Sequence, residues 1–262
     1  VWNRSADKAS PLAADGANVH ASAAEAAAAA DIVIGMLENG PVVASVLFDQ
    51  GTAAAMRPGT LFIDMASIKP REAREHAARL AERGVGQLDA PLSGRTVGPH
   101  ARTLAIMPGG AADDFARAVP VFELLGRATH VGPAGAGQLA KLANQMIVGI
   151  TIGAVAEALL LCEKGGADPA KVREAIGGGF AESRILQLHG ERMVTRDFAP
   201  RARMTVQLKD MRNALETAAD MGFSAPVTEA LEQLYADAID HGDADLDHSG
   251  LFVELARRNG MT

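Results

Sequence analysis

The pattern of the chain changes near residue 133, and that change limits the possible folds more than any other feature. Up to residue 131, short apolar runs alternate with helical segments. Ile32-Val33-Ile34-Gly35-Met36-Leu37 follows Asp31 and is short and β-branched, so it reads as a buried strand rather than a helix. Leu61-Phe62-Ile63-Asp64 is a second such run, and residues 86–89, 103–107 and 128–131 read as three more. Val1-Trp2-Asn3-Arg4-Ser5 also has strand character and ends in polar residues. Helices are expected over 7–15 (closed by Gly16), over the alanine-rich 21–30 and over 41–50. Another runs from Pro70 near N1 to a stop at Gly84, and another over 111–125. This alternation predicts a doubly wound α/β sheet.

After Gly132-Pro133 no strand signal remains. Residues 134–164 place apolar side chains at helical spacing, which gives a helix about 45 Å long at 1.5 Å per residue. Gly165-Gly166 stops it, and Asp168-Pro169 supplies an N-cap followed by proline at N1. Helices over 168–176, 182–194, 204–221, 225–240 and 249–258 fill the rest. The expected organisation is an α/β domain over 1–133 and an all-helical domain over 134–262, joined by the long helix. A chain of 262 residues can bury a core in each.

Composition narrows the partners. The 25 basic and 32 acidic residues leave a net charge of -7, which repels nucleic acid and anionic membrane surfaces. With aromatics at 4%, stacking on single strands is also disfavoured. No apolar run reaches the roughly 18 residues needed to span a bilayer, and no membrane partner is expected. Cys162 is the single cysteine, which excludes an internal disulfide framework and fits a reducing cytoplasm. It lies in the apolar part of the long helix and reads as core rather than nucleophile. The seven histidines show neither HExxH nor paired spacing, so no metal is expected.

Four constellations carry chemistry. Asp89-Ala90-Pro91-Leu92-Ser93-Gly94 puts a hydroxyl and a glycine backbone beyond the carboxyl end of a strand, where ligands of open α/β sheets bind. Ser93 and nearby amides suit a carboxylate; a polar turn would explain the same residues. Gly135-Ala136-Gly137-Gln138-Leu139-Ala140-Lys141-Leu142-Ala143-Asn144 opens the long helix, with Lys141 and Asn144 at i and i+3 on one face. A lysine among apolar neighbours has its pKa lowered by burial, which suits proton transfer, whereas a solvated lysine would do nothing special. Leu208-Lys209-Asp210 offers a cation for a phosphate or ribose with an acid to orient it, or simply an exposed pair of opposite charges. Asn3-Arg4-Ser5 follows the first strand signal. In a nucleotide fold an arginine there accommodates a 2′-phosphate, so Arg4 points to NADP rather than NAD.

Together with Asp64-Met65-Ala66-Ser67, these segments occur in an order that resembles the 3-hydroxyisobutyrate dehydrogenase family of β-hydroxyacid dehydrogenases, relatives of 6-phosphogluconate dehydrogenase. The resemblance runs from Val1 to about Leu255. It implies a Rossmann-like domain, a long interdomain helix and a helical substrate and dimerisation domain. It also implies reversible oxidation of short 3-hydroxyacids to semialdehydes with NADP or NAD. By resemblance Lys141 is the catalytic lysine and Asn144 positions the substrate. Ser93 and Gly94 match the element that binds the substrate carboxylate, while Arg95, where the family usually carries another glycine, adds a carboxylate contact or narrows the site. Leu37, Ser67 and Lys209 contact the cofactor, with Asn3, Arg4 and Ser5 as the NADP-preferring ribose site. Family members form dimers or tetramers, and the apolar run from Met146 to Leu161 is long enough to serve intrachain and intersubunit packing together.

The stretch from Arg95 to Leu104, including Pro99 and Arg102, departs from the family's usual glycine-containing sequence and alters the substrate loop. Two other readings share this architecture: an imine reductase-like NADPH-dependent reductase and a non-catalytic scaffold. Both commonly lack the lysine that stands here at 141. The sequence starts at Val1, and no GxGxxG turn lies within it. The resemblance implies that a first strand, that turn and its helix precede Val1 in the natural protein, on the order of 30 residues as in a βαβ unit.

Overall fold

The computed structural model describes residues 1–94 and 102–261 and divides into two compact units, Val1–Lys141 and Leu142–Thr262. In the first unit, β1 (Ile32–Gly35), β2 (Leu61–Asp64) and β3 (Gly86–Asp89) run parallel. β4 (Leu92–Ser93), β5 (Leu104–Ile106), β6 (Gly109–Gly110) and β7 (Gly126–Ala128) complete the strands. They form a four-stranded sheet, order β1-β2-β3-β6, and a three-stranded sheet, order β4-β5-β7. β6 pairs antiparallel with β3, and β4 antiparallel with β5. The helices are α1 (Ala6–Ala9), α2 (Ala23–Ala28), α3 (Gly40–Ala44), α4 (Thr52–Ala55), α5 (Pro70–Ala81) and α6 (Ala112–Phe122).

Strand β2 shows why the sheet is wound on both faces. All four of its residues are buried, and they alternate. Phe62 joins Val43, Leu47, Ala73 and Leu80 on one side, and Leu61 and Ile63 join Leu88, Ile106, Ala118 and Phe122 on the other. A strand covered on both sides must be apolar at every position facing a helix layer.

Several sequence expectations change here. Val1–Ser5 is not a strand. The Val1 amine donates to the Asn18 carbonyl and the His20 N–H donates to the Val1 carbonyl, but no ladder forms alongside. The helix expected over 7–15 breaks into α1 and a 3-10 turn, Ser10–Asp15, because Pro11 has no N–H to continue the α pattern. The strand expected over 128–131 lies earlier, at Gly126–Ala128, where β7 pairs with β5 and a Cβ at Gly126 would collide with the Leu104 backbone. Two-residue strands β4 and β6 carry no periodicity, so sequence pattern did not reveal them.

The second unit is helical: most of α7 (Ala136–Lys164), then α8 (Pro169–Ile176), α9 (Arg184–Thr195), α10 (Met204–Asp220), α11 (Pro226–Ala238) and α12 (Leu251–Arg258). Ile152, Ala156, Leu159 and Leu160 of α7 pack with Met193, Met204, Tyr235, Leu251 and Phe252 in one core. Despite the sequence expectation, α7 is long and apolar enough to cross a membrane by length and composition. The interruptions Asn144, Gln145 and Glu157 broke the run in sequence. Its buried face is that of a core helix, and Cys162 is half-buried near its end. Asp168 caps α8 as expected, accepting from the N–H groups of Ala170 and Lys171.

Asp247 ties the helical unit together. Its Oδ1 accepts from Arg192 Nη1 at 2.7 Å and Ser249 Oγ at 2.6 Å, and its Oδ2 from the Ala202 N–H at 3.1 Å. Burial pushes this carboxyl up, but the polar contacts of His189 and Ser249, the charge of His248 and the Ala202 N–H outweigh it. Together they hold it well below the usual carboxylate range. His189, Asp247 and His248 place potential ligand atoms within 4.8 Å of one another, but the Arg192 guanidinium already occupies Asp247 and opposes a second cation.

Candidate active site

In the first unit, the carboxyl end of β3 holds the start of α7. Asp89, fully buried, accepts from the Gly135 N–H at 2.7 Å and the Gln138 N–H at 2.8 Å. These would otherwise be orphan donors of a helix N-terminus. The Gln138 side chain reaches the segment after β2: Nε2 donates to the Ala66 carbonyl at 2.8 Å, and Oε1 accepts from the Ile68 N–H at 3.0 Å. Two glycines make this possible. Gly135 sits at φ +87, and a Cβ at Gly137 would lie 2.2 Å from the Asp89 carbonyl oxygen.

Lys141 follows Gln138 by three residues. Its Nζ donates to the Leu92 carbonyl at 2.9 Å, next to Ser93 and Gly94. The structure therefore brings together Lys141, Ser93 and Gly94, three residues singled out from different parts of the sequence. Lys141 is half-buried with a fixed partner, not a solvated surface lysine. Ser93 is half-buried in β4 opposite Ala105, so the polar-turn alternative is incorrect for it. Gly94 has φ +150, and a Cβ there would lie 2.6 Å from Leu104 Cδ2. Arg95 and Pro99 lie outside the described residues, while Arg102 is exposed with φ 53.

Burial raises the Asp89 carboxyl to about 6, against the N–H donors of Gly135 and Gln138. Across the ladder, Asp64 is raised to about 7, first by burial and further by the charges of Asp89 and Glu72, against the Ala66 N–H. Its Oδ2 is buried without a hydrogen-bond partner. A carboxyl raised in the fold is most favourable while protonated, so its contribution is complete below its ordinary value of 3.8 and is lost as pH rises through about 7. Asp64→Asn cannot ionise. Urea unfolding at pH 5 and pH 8 should show the variant gaining roughly 2–3 kcal/mol on the wild type between those values. An unchanged difference would contradict the assigned environment.

Leu37 and Ser67 follow the carboxyl ends of the adjacent parallel strands β1 and β2, and both are half-buried. Arg4 is exposed at the chain start, in a turn where the Ser5 N–H donates to Asn3 Oδ1 at 2.9 Å. These groups suit a dinucleotide: an exposed guanidinium for phosphate, and strand ends facing the side where such sheets bind ligands.

In the second unit, Asn144 Nδ2 donates to Gln145 Oε1 at 2.8 Å, and Gln145 Nε2 donates to Asp210 Oδ2 at 2.6 Å. Lys209 Nζ lies 3.2 Å from Asp210 Oδ1. Asp210 is buried whereas the Lys209 side chain is 42% exposed, so only the acid of this pair is withdrawn from solvent. Sequence reasoning missed Gln138 and Gln145 and gave Asp64 and Asp89 no roles. Their signal was a polar residue inside an otherwise apolar strand end or helix face.

A doubly wound sheet, a lysine fixed beside a strand-end serine and glycine, and a following helical unit define an NAD(P)-dependent dehydrogenase. Residues 1–132 match the model for the NAD binding domain of 6-phosphogluconate dehydrogenase, and residues 135–255 that for NAD-binding of NADP-dependent 3-hydroxyisobutyrate dehydrogenase. The 2-hydroxy-3-oxopropionate reductase of Escherichia coli K12 is 44% identical over 87% of this chain and 78% of its own. A probable 3-hydroxyisobutyrate dehydrogenase of Mycobacterium tuberculosis H37Rv is 40% identical over 95% of this chain and 87% of its own. The solved structure of Mycobacterium tuberculosis 3-hydroxyisobutyrate dehydrogenase with L-serine superposes with a TM-score of 0.89 at 37% identity, covering 97% of this chain and 89% of that one. The chain belongs to the 3-hydroxyisobutyrate dehydrogenase family and is a hydroxyacid dehydrogenase.

Proposed function

We propose that the protein interconverts a short semialdehyde and its 3-hydroxyacid with NADP, using Lys141 as proton donor and acceptor. The observation that carries this reading is the Lys141 ammonium held 2.9 Å from the Leu92 carbonyl, beside Ser93 and Gly94. When bound, the reduced nicotinamide supplies a hydride to the aldehyde carbon. Lys141 gives a proton to the aldehyde oxygen as the alcohol forms and takes it back in oxidation. Its charge stabilises the developing alkoxide. Ser93, Gly94 and Arg95 bind the substrate carboxylate, and Asn144 orients the substrate. Leu37, Ser67 and Lys209 contact the cofactor, and Arg4 with Asn3 and Ser5 reads the 2′-phosphate. In this reading residues 1–133 are the nucleotide domain and 134–262 the substrate and dimerisation domain.

The relative named for 2-hydroxy-3-oxopropionate reduction and the one solved with L-serine, itself a 3-hydroxyacid, support a three-carbon substrate. Exposed Ile147 and Leu161 on α7, at 65% and 72%, support a homodimer or homotetramer, and the single cysteine supports a cytoplasmic setting.

The test follows nicotinamide absorbance with 2-hydroxy-3-oxopropionate, methylmalonate semialdehyde and succinate semialdehyde. Turnover is expected with at least the first, and with NADPH in preference to NADH. Arg4→Ala should raise the KM for NADPH by about ten-fold and leave that for NADH unchanged, the effect of one lost charge-assisted phosphate contact. No turnover with any semialdehyde, together with no NADP(H) binding, would contradict the reading.

A further inference from the structure

Gln207 is buried in α10, two residues before Lys209 and three before Asp210. Its Nε2 donates to the main-chain carbonyl of Gln145 on α7 at 3.0 Å, and its Oε1 lies 3.4 Å from His248 Nδ1. The Gln145 carbonyl is reachable because position 149, one turn further along α7, is glycine. A Cβ there would lie 2.6 Å from Gln207 Nε2 and 3.0 Å from Met211 Sδ. Gln145 is the branch point of the site in this unit, since its side chain accepts from Asn144 and donates to Asp210, which pairs with Lys209. A buried amide gripping the peptide of that residue fixes where its side chain starts, and through it the two groups it holds.

We propose that Gln207 is a positioning residue for the reaction, acting through Gln145 on Asn144, and that Gly149 supplies the gap through which it acts. This rests on the functional reading that gives Asn144 to the substrate. Gln207 orients groups and touches no reacting atom. Its loss should therefore lower kcat while the fold and NADPH affinity remain.

Three variants separate this role from core filling. Gln207→Met keeps the length and removes both bonds. Gln207→Glu keeps an acceptor towards His248 but loses the donor to the Gln145 carbonyl. Gly149→Ala leaves Gln207 in place and pushes its amide away. Each is expected to lower kcat for 2-hydroxy-3-oxopropionate with NADPH by about ten-fold, as for outer groups that orient a site. The NADPH Kd, from fluorescence titration, should stay within about two-fold and the circular dichroism spectrum should match wild type. Adding Gln207→Met to Gln145→Met should cost less than about two-fold more, because both act on one group. If Gln207→Met does not fold, Gln207→Glu and Gly149→Ala carry the same readouts. Folded variants with wild-type kcat, or full additivity with Gln145→Met, overturn the inference alone. A wild type that turns over no semialdehyde overturns the functional reading and this inference with it.

Discussion

Lys141→Ala should lower kcat for semialdehyde reduction by at least about 100-fold, the usual worth of a positioned general acid. NADPH affinity should stay within about two-fold, because the residues assigned to the cofactor are elsewhere. The variant should fold. The N-terminus of α7 is anchored by Asp89 and Gln138, independently of the Lys141 bond to the Leu92 carbonyl. Lys141→Arg keeps the positive charge but its guanidinium does not release a proton near neutral pH, so it should remain about as slow as Lys141→Ala. Steady-state kinetics with a fluorescence titration for NADPH check both variants. Normal turnover by folded Lys141→Ala would remove Lys141 from the chemistry.

The second large effect concerns stability. Asp247→Ala leaves Arg192 buried without its carboxylate and strips acceptors from Ser249 and the Ala202 N–H. Breaking a buried pair from one side costs about 3–5 kcal/mol. For a protein of this size that corresponds to a fall of about 10 °C in Tm. The carboxyl is held below its ordinary value in the fold, so its contribution is present above pH about 4 and is lost as pH falls further. The gap between wild type and variant, followed by circular dichroism melts, should therefore be full at pH 7 and narrow towards pH 3. A gap that persists unchanged into acid would show that the Asp247 charge contributes nothing to stability.

Much of the fold was legible because it rests on local pattern. The central run 61–64 is apolar with an acid at its end, and it became the buried strand β2. Asp168-Pro169 announced the start of α8, and Gly132-Pro133 the end of the strands. The failures have equally local causes. β4 and β6 are two residues long, too short for any period, and exist through pairing with β5 and β3. The start of the chain has strand-like residues, but strand structure is a property of a pair, and no ladder forms at Val1.

The site divides in the same way. Lys141, Ser93 and Gly94 could be named from motif order, and the hydrogen bond from Lys141 to Leu92 joins segments 49 residues apart. What sequence pattern could not supply was the frame around them. Asp89 reads as an ordinary strand-end acid until its two oxygens are seen on the Gly135 and Gln138 N–H groups. Gln138, Gln145 and Gln207 read as polar interruptions of helices. Each is a bridge between segments whose separation in the chain, 72 residues from Gln138 to Ala66 and 62 from Gln207 to Gln145, hides the partner.

The most direct test of the central claim follows the hydride itself. The wild type is incubated with 2-hydroxy-3-oxopropionate and NADPH deuterated at the transferring C4 position, and the product is analysed by mass spectrometry. The expected product is 2,3-dihydroxypropionate carrying one deuterium on C3, formed with stoichiometric NADP and at least about 100-fold more slowly by Lys141→Ala. Cofactor that stays reduced, or product without the label, would contradict it.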